Sequence, residues 1–200
     1  MKYNFKEDFR KGLQPNLITT VGLLTVPAII NFHAKGMFVI AVILMAIAWF
    51  CDFLDGWWAR RFKMNSKIGD FYDPLADKAV TWSLLIALWE RVPSTAAVII
   101  ISFGLFATVG RVIVLVTGKK LSIPTNVMAN YAGKIKTNFE KGGITALLLL
   151  DLFLRYWPRL QTEDFFYTLM MIGLWGSIPL GFISLLQMGK KLLVLYRSYA

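Results

Sequence analysis

The sequence predicts an all-α integral membrane protein with six transmembrane helices and an N-terminal amphipathic surface helix. Its 200 residues are 56% hydrophobic and only 17% charged, whereas soluble domains average about 45–50% apolar and about 25% charged residues. The apolar residues also fall in blocks close to the roughly 17–25 residues that a helix needs to cross a bilayer. Length and composition therefore favour a single membrane domain over residues 1–200.

Six apolar segments mark the expected spans, at roughly 17–32, 37–58, 73–89, 95–117, 142–153 and 165–188. The charged stretch 1–13 lacks a cleavage site of small residues, so we expect a retained juxtamembrane segment on the membrane surface, with 14–200 forming the six-helix bundle. The lone Cys51 lies in an apolar run, which excludes an intrachain disulfide and predicts a core position.

The positive charges are distributed very unevenly along the chain. Segments 1–12, 59–78, 111–141 and 189–200 carry 18 of the 22 Lys and Arg residues, and the others are Lys35, Arg91, Arg155 and Arg159. Because cytoplasmic loops are enriched in these residues, both termini should face the cytoplasm of a cytoplasmic (or equivalent inner) membrane, which requires an even number of spans. The net charge of +10 is then explained by anionic lipid headgroups, without nucleic acid as a partner.

Four aspartates border the connection between the second and third expected spans. Asp52 and Asp55 are three residues apart, and Asp73 and Asp77 are four apart, so each pair shares one helix face. Since two helices joined by a short connection are expected to be antiparallel neighbours, the two faces can converge. Ionised carboxylates close to hydrocarbon cost at least a few kcal/mol each, so something must neutralise them.

Ligation by oxygen alone suits hard cations such as Mg²⁺ or Mn²⁺. Two such ions about 4 Å apart can clamp a phosphoryl group during displacement. The neighbouring residues fit this chemistry: Gly56 and Ala59 leave open helix surface, Arg60 can bind phosphate with two hydrogen bonds, Gly69 offers a backbone turn, and Pro74 suits the first turn of a helix.

Two other interpretations of the aspartates remain open. They could cap helices or pair with Arg60, Arg61 and Lys63 at the membrane surface, or they could mark the pathway of an ion transporter. Transporters tend to place such residues near the bilayer midplane on broken helices, rather than beside an arginine at one end of the spans. His33 lies in a short outer turn without an obvious ligand partner, and we assign it no role.

The sequence around these aspartates resembles that of a known family, the CDP-alcohol phosphotransferases. Every fixed position of their signature is present, at Asp52, Asp55, Gly56, Ala59, Arg60, Gly69, Asp73 and Asp77. The resemblance implies a six-helix homodimer that transfers a phosphatidyl-type group from a CDP-linked donor to an alcohol and releases CMP. It also implies that the four aspartates hold two metals, that Asp77 is the catalytic base, and that Gly56, Ala59, Arg60 and Gly69 line the CDP site with Asp52 and Asp55.

Within that family, the chain is most similar to the phosphatidylglycerophosphate synthases. The run from Gly133 to Thr137 resembles their Gly-Lys-x-Lys-Thr segment, the run from Pro15 to Thr19 resembles the start of their first span, and Arg111 matches an arginine near the end of their fourth. By this resemblance Arg111, Lys134 and Lys136 bind the phosphate of an anionic acceptor.

The expected reaction is therefore transfer from CDP-diacylglycerol to glycerol 3-phosphate. Two departures keep the acceptor open, because Gly22 stands where many of these synthases have arginine, and Val112 stands where they have glutamate. Inositol phosphate, serine or another polar alcohol remains an alternative acceptor. The two lysines also fit ordinary positive charge in a cytoplasmic loop.

Overall fold

The computed structural model describes residues 5–62, 67–121, 131–160 and 162–197. Its helices are α1 (Phe5–Ala34), α2 (Phe38–Arg61), α3 (Lys67–Ala87), α4 (Ser94–Leu121), α5 (Tyr131–Tyr156) and α6 (Glu163–Arg197), with a single 3₁₀ turn at Pro158–Leu160. No strand occurs in these ranges, so the expected all-α class is confirmed for the described residues.

Four of the helices are long and apolar enough to cross a membrane, over Leu13–Ala34, Phe38–Arg61, Ser94–Val114 and Glu163–Val194. This chain is therefore a membrane protein. Helices α3 and α5 are not among the four, and both carry several charged residues that interrupt their apolar faces. The fifth and sixth spans, and the surface position of residues 1–13, stay predictions.

The side chains are arranged as a bilayer-embedded bundle requires. Ile29, Leu85 and Leu174 are completely buried between helices, while Leu24 and Phe106 each leave 68% of their surface exposed. Exposed apolar patches this extensive would promote aggregation in water. In hydrocarbon they face a matching solvent, so burial between helices marks the helix contacts rather than the whole apolar surface.

Helix packing differs from the expectation in one respect. Helix α1 packs on both α2 and α3, and α5 packs on α2, α3 and α6, but α2 and α3 are not a closely packed pair in the described part of the chain. Their aspartates are brought together by α1 and α5, which each contact both helices.

Helices α5 and α6 approach each other at two glycines. A Cβ atom added at Gly173 would lie 2.6 Å from the Cα of Gly143, closer than real Cβ atoms come to a neighbouring backbone. Small residues at a crossing allow membrane helices to pack backbone to backbone. The crossing lies near the middle of α5, whose first half lines the candidate site.

Several element boundaries also differ from the expected ones. Helix α1 is continuous from Phe5, with no break between the charged stretch and the first apolar segment, and α5 begins at Tyr131, eleven residues before the expected fifth span. Helix α3 already begins at Lys67. Gly69 therefore lies in its first turn rather than at a separate turn, and Pro74 lies inside the helix, where its ring removes one backbone hydrogen bond.

His33 has a partner that the sequence did not reveal. Its Nε2 lies 2.8 Å from an oxygen of Asp151 on α5, and the other oxygen of that carboxylate accepts a hydrogen bond from Arg91 between α3 and α4. The Asp151 side chain is only 2% exposed. We call this end of the bundle the far end, because it is opposite the candidate site described next.

Candidate active site

A cavity of about 520 Å³ opens among five helices, α2 to α6. Ten charged side chains of the described residues line it: the acidic Asp52, Asp73, Asp77 and Glu140, and the basic Arg60, Lys78, Arg111, Lys134, Lys136 and Lys141. Acidic groups from α2, α3 and α5 therefore share the cavity with basic groups from α2, α3, α4 and α5. A cavity with this lining can bind a ligand that carries both phosphate and metal.

Asp55 stands behind the cavity wall rather than in it. It is only 5% exposed, and its carboxylate accepts a hydrogen bond from the hydroxyl of Thr19 on α1. The same hydroxyl lies 3.5 Å from an oxygen of Asp73 on α3. One threonine thus connects the second aspartate of α2 with the first aspartate of α3.

The other two aspartates meet at a lysine. The Nζ of Lys141 on α5 lies 2.6 Å from an oxygen of Asp52 and 2.9 Å from an oxygen of Asp77. The four expected aspartates are therefore arranged as two pairs, one bridged by α1 and the other by α5.

Carboxylate oxygens are suitable ligands for a hard divalent cation. Three aspartates line the cavity, and the fourth lies directly behind its wall. In the described part of the chain, however, no three His, Cys, Asp or Glu side chains lie close enough together to hold one ion. The ammonium of Lys141 is bound to two of these carboxylates. A metal at Asp52 and Asp77 would have to replace that ammonium.

The basic side of the cavity contains all three residues expected at the acceptor site. Lys134 and Lys136 lie in the first turns of α5, on a helix rather than in a loop, and Lys136 forms an ion pair of 2.5 Å with the buried Glu140. The Nε of Arg111 is buried and has no hydrogen-bond acceptor among the described residues. A buried donor without a partner is costly, so Arg111 is well suited to bind an anion.

Two of the residues expected to bind the CDP group line the cavity. Arg60 and Gly56 line the cavity, and a Cβ added at Gly56 would lie 3.3 Å from Nη1 of Arg60. The glycine therefore leaves room for the guanidinium to fold over α2. Ala59 lies on the same helix, outside the cavity lining formed by the described residues, and the surroundings of Gly69 lie outside what the structure describes.

Four residues of the site were not identified from the sequence: Thr19, Lys78, Glu140 and Lys141. Lys78 donates hydrogen bonds to the Gly104 carbonyl at 2.9 Å and to the Thr108 hydroxyl at 2.5 Å. Lys78 and Lys141 were counted only as charges of cytoplasmic segments. Charged residues inside apolar helices are a signal that could have identified them, because they are rare unless functional or paired.

The chain is similar to several bacterial proteins. A protein of Bacillus subtilis named CDP-diacylglycerol–glycerol-3-phosphate 3-phosphatidyltransferase is 37% identical over 112 residues, which is 55% of each chain. A protein of the same name from Blochmanniella floridana is 27% identical over 81% of this chain and 85% of its own length. A probable phosphatidylglycerophosphate synthase of Mycobacterium tuberculosis is 32% identical over 67% of this chain and 65% of its own.

The match therefore spans about half the length of the Bacillus relative. The profile of a whole family extends further, because CDP-alcohol phosphatidyltransferase matches residues 13–183. That range includes Thr19, the four aspartates, the three cations expected at the acceptor site, and Lys141. The chain belongs to the CDP-alcohol phosphatidyltransferase family.

Proposed function

We propose that this protein transfers a phosphatidyl group from CDP-diacylglycerol to glycerol 3-phosphate, giving phosphatidylglycerophosphate and CMP. The observation that carries the proposal is the single cavity in which Asp52, Asp73 and Asp77 face Arg111 and the lysines of α5. Such a cavity can hold a nucleotide pyrophosphate beside a phosphorylated alcohol. Relatives named for this reaction add support.

Members of this family generally use divalent metals. We propose that Asp52, Asp55, Asp73 and Asp77 hold two ions, Mg²⁺ or Mn²⁺, in agreement with the preference of these ions for oxygen ligands. When bound, the metals would withdraw negative charge from the pyrophosphate of the donor. Thr19 would keep the Asp55 carboxylate oriented, as hydrogen-bond partners of metal ligands commonly do.

The reaction itself is an in-line displacement at phosphorus. Asp77 would accept the proton of the acceptor hydroxyl, and the oxygen of that hydroxyl would form a bond to the lipid-side phosphorus of the donor. The bond between this phosphorus and the bridging pyrophosphate oxygen breaks, and CMP leaves with that oxygen. Arg60 and Gly56 would position the CDP portion, with Ala59 and Gly69 completing its site.

The acceptor is selected by charge. Arg111, Lys134 and Lys136 would bind the phosphate of glycerol 3-phosphate, and Lys78 lines the same part of the cavity. Serine carries no phosphate and would leave these cations without a partner, whereas an inositol phosphate would satisfy them. Inositol phosphate is therefore the alternative acceptor that the cavity lining favours next.

We propose the following placement in the membrane. All six helices cross a cytoplasmic (or equivalent inner) membrane, and residues 1–13 lie along its surface. Both termini and the active site face the cytoplasm, where the cations of the positive segments that lie outside the cavity meet anionic lipids. The single domain forms a homodimer, as the family resemblance implies.

The test is a CMP-release assay on purified protein in detergent. Protein, CDP-diacylglycerol and Mn²⁺ or Mg²⁺ are incubated with one alcohol at a time, and we expect CMP with glycerol 3-phosphate and none after chelation with EDTA. Release with inositol phosphate or serine alone would replace the acceptor but keep the chemistry. No metal-dependent CMP with any acceptor would overturn the enzymatic proposal and favour the ion transporter, which a flux assay in liposomes would then detect.

A further inference from the structure

Lys141 occupies a position that the proposed reaction does not require. Its ammonium bridges Asp52 on α2 and Asp77 on α3, at 2.6 Å and 2.9 Å, and only 13% of the side chain is exposed. The Asp52 and Asp77 side chains are 42% and 28% exposed, so solvent screens the two ion pairs in part. Lys141 therefore neutralises part of the charge that two adjacent carboxylates place in the cavity.

The ammonium of Lys141 also contacts an aromatic ring of α2. The ammonium lies 5.0 Å from the ring centroid of Trp49, within the range of a cation–π contact. Trp49 is itself held, because its Nε1 donates a hydrogen bond of 2.9 Å to the hydroxyl of Thr145, one turn further along α5. Helices α2 and α5 thus direct one lysine towards the aspartate pair.

We propose that Lys141 is a built-in counter-cation that competes with the divalent metal for Asp52 and Asp77, and so sets the metal affinity of the site. This inference rests on the proposed metal site. While no metal is bound, the ammonium keeps the two carboxylates together in spite of their repulsion. Metal binding breaks both ion pairs, and the cost of breaking them weakens the measured affinity for the ion.

The surroundings provide room for the displaced ammonium. A second cavity of about 470 Å³ adjoins the first and is lined by Trp49, Asp52, Phe53, Lys141 and Thr145. The lysine stem can rotate into this space while it remains in contact with the Trp49 ring, because its four-carbon chain is flexible. The exchange of cations therefore needs a change of rotamer and no movement of a helix.

The experiment measures Mn²⁺ binding without any substrate. Free Mn²⁺ is followed by electron paramagnetic resonance while purified full-length protein in detergent is titrated with the ion. Lys141→Met removes the charge but keeps an unbranched apolar stem next to Trp49, and we expect the Mn²⁺ Kd to fall about tenfold. Lys141→Arg keeps the charge and should remain within about threefold of wild type.

Lys78→Met is the matched control. Lys78 lines the same cavity, but its ammonium donates to a carbonyl and a hydroxyl rather than bridging Asp52 and Asp77. Its loss reports the general effect of removing one nearby positive charge. We expect a change in Kd of no more than about threefold, because through-space effects are smaller than direct competition.

A thermal melt without metal provides a second measurement. Lys141→Met should melt at a lower temperature than wild type, because Asp52 and Asp77 lose their counter-ion, and Mn²⁺ should raise its melting temperature by more than it raises that of wild type. A merely structural ion pair would lower the first melting temperature without altering the Mn²⁺ Kd, and that result would overturn the inference.

The Mn²⁺ titrations distinguish a failure of the Lys141 inference from a failure of the proposed metal site. If wild type binds Mn²⁺ and Lys141→Met binds it with the same Kd, or if Lys78→Met tightens binding equally, the competition is refuted while the metal site stands. If only Lys141→Met binds Mn²⁺, competition is complete and the inference holds. If neither protein binds Mn²⁺, the metal site of the proposed function and this inference both fall.

Discussion

The hydroxyl of Thr19 donates a hydrogen bond to the buried carboxylate of Asp55. The same oxygen lies 3.5 Å from Asp73, so a side chain of α1 joins aspartates of α2 and α3. These two helices are not closely packed on each other in the described part of the chain. The geometry of the candidate metal site therefore depends on a residue that supplies no carboxylate.

Thr19→Val should reduce CMP release or metal affinity by about 10–100-fold, because partners that orient metal ligands typically contribute that much. Valine has nearly the same shape and removes only the hydroxyl, which leaves Asp55 buried without this donor. The measurements are kcat and the Mn²⁺ Kd of the purified variant.

Thr25→Val is the control for that substitution. Thr25 lies on the same helix and donates only to the carbonyl of Gly22, at 2.7 Å, so its loss should leave both quantities within about twofold of wild type. Equal losses in the two variants would mean that the threonine acts through the helix rather than through Asp55.

The sequence predicts the type of site better than its assembly. The spacing of Asp52, Asp55, Asp73 and Asp77 identified the carboxylates, because residues three and four apart share a helix face wherever the helix lies. Spacing within a helix carries no information about which helix lies beside it. For that reason Thr19 and Lys141, which bridge α2 and α3 from distant parts of the chain, were not identified.

The first and last residues of a helix are also poorly predicted from its apolar residues. An apolar run reports where hydrocarbon contacts a helix, and not where the helix itself begins, so α5 starts eleven residues before the apolar run over 142–153. Its first turns carry Lys134 and Lys136 into the cavity. The packing of α1 on α2 favours a small residue at Gly22, because a Cβ there would lie 3.1 Å from the Cβ of Cys51.

Asp55→Asn and Asp73→Asn should each abolish turnover, with at least about a hundredfold loss of CMP release, while the protein stays folded. Asparagine keeps an oxygen that can accept the Thr19 hydrogen bond but removes the charge that attracts a divalent cation. Asp164→Asn, at an exposed position in the first turn of α6, is the control and should retain full activity. Turnover near the wild-type rate in either of the first two variants would contradict the assignment of that aspartate.

Arg111→Ala should raise the KM for glycerol 3-phosphate roughly 10–100-fold and change the KM for CDP-diacylglycerol by much less. The expected loss corresponds to one charge-assisted hydrogen-bonding group, about 1.5–3 kcal/mol. Arg159→Ala, at an exposed position near the far end, should change neither constant. Equal increases for both substrates would show that Arg111 does not bind the acceptor selectively.

Arg91→Ala should lower the free energy of unfolding by about 1–2 kcal/mol without lowering the turnover rate at a temperature where the variant is folded. Among the described residues, the Asp151 carboxylate would keep His33 as its side-chain partner, and a buried charge that loses a partner is costly. The loss is moderated because the Arg91 side chain is 47% exposed and screened by solvent.

Distance explains why activity should persist in that variant. Asp151 lies ten residues beyond Lys141 on α5, or about 15 Å along the helix axis. Arg155→Ala, which removes an exposed arginine from the same end of the helix, is the control and should not change the unfolding midpoint. A matching destabilisation in both variants would indicate that net charge, and not the contact with Asp151, matters at the far end.

Glycine-to-alanine substitutions at the α5–α6 crossing test how closely these helices must pack. A Cβ at Gly142 would meet nothing within 4 Å, one at Gly143 would lie 3.1 Å from the backbone of α6, and one at Gly173 would lie 2.6 Å from the backbone of α5. Alanine favours a helix over glycine by about 1 kcal/mol, so Gly142→Ala should melt at or above the wild-type temperature. Gly143→Ala should melt below it, and Gly173→Ala should melt lowest or fail to accumulate as folded protein, because neither backbone can yield as a flexible side chain would. The measurement is the melting temperature of each variant in one detergent. If Gly173→Ala is as stable as Gly142→Ala, the two helices are not in backbone contact at Gly173. The crossing would then not fix the position of Lys134, Lys136 and Lys141.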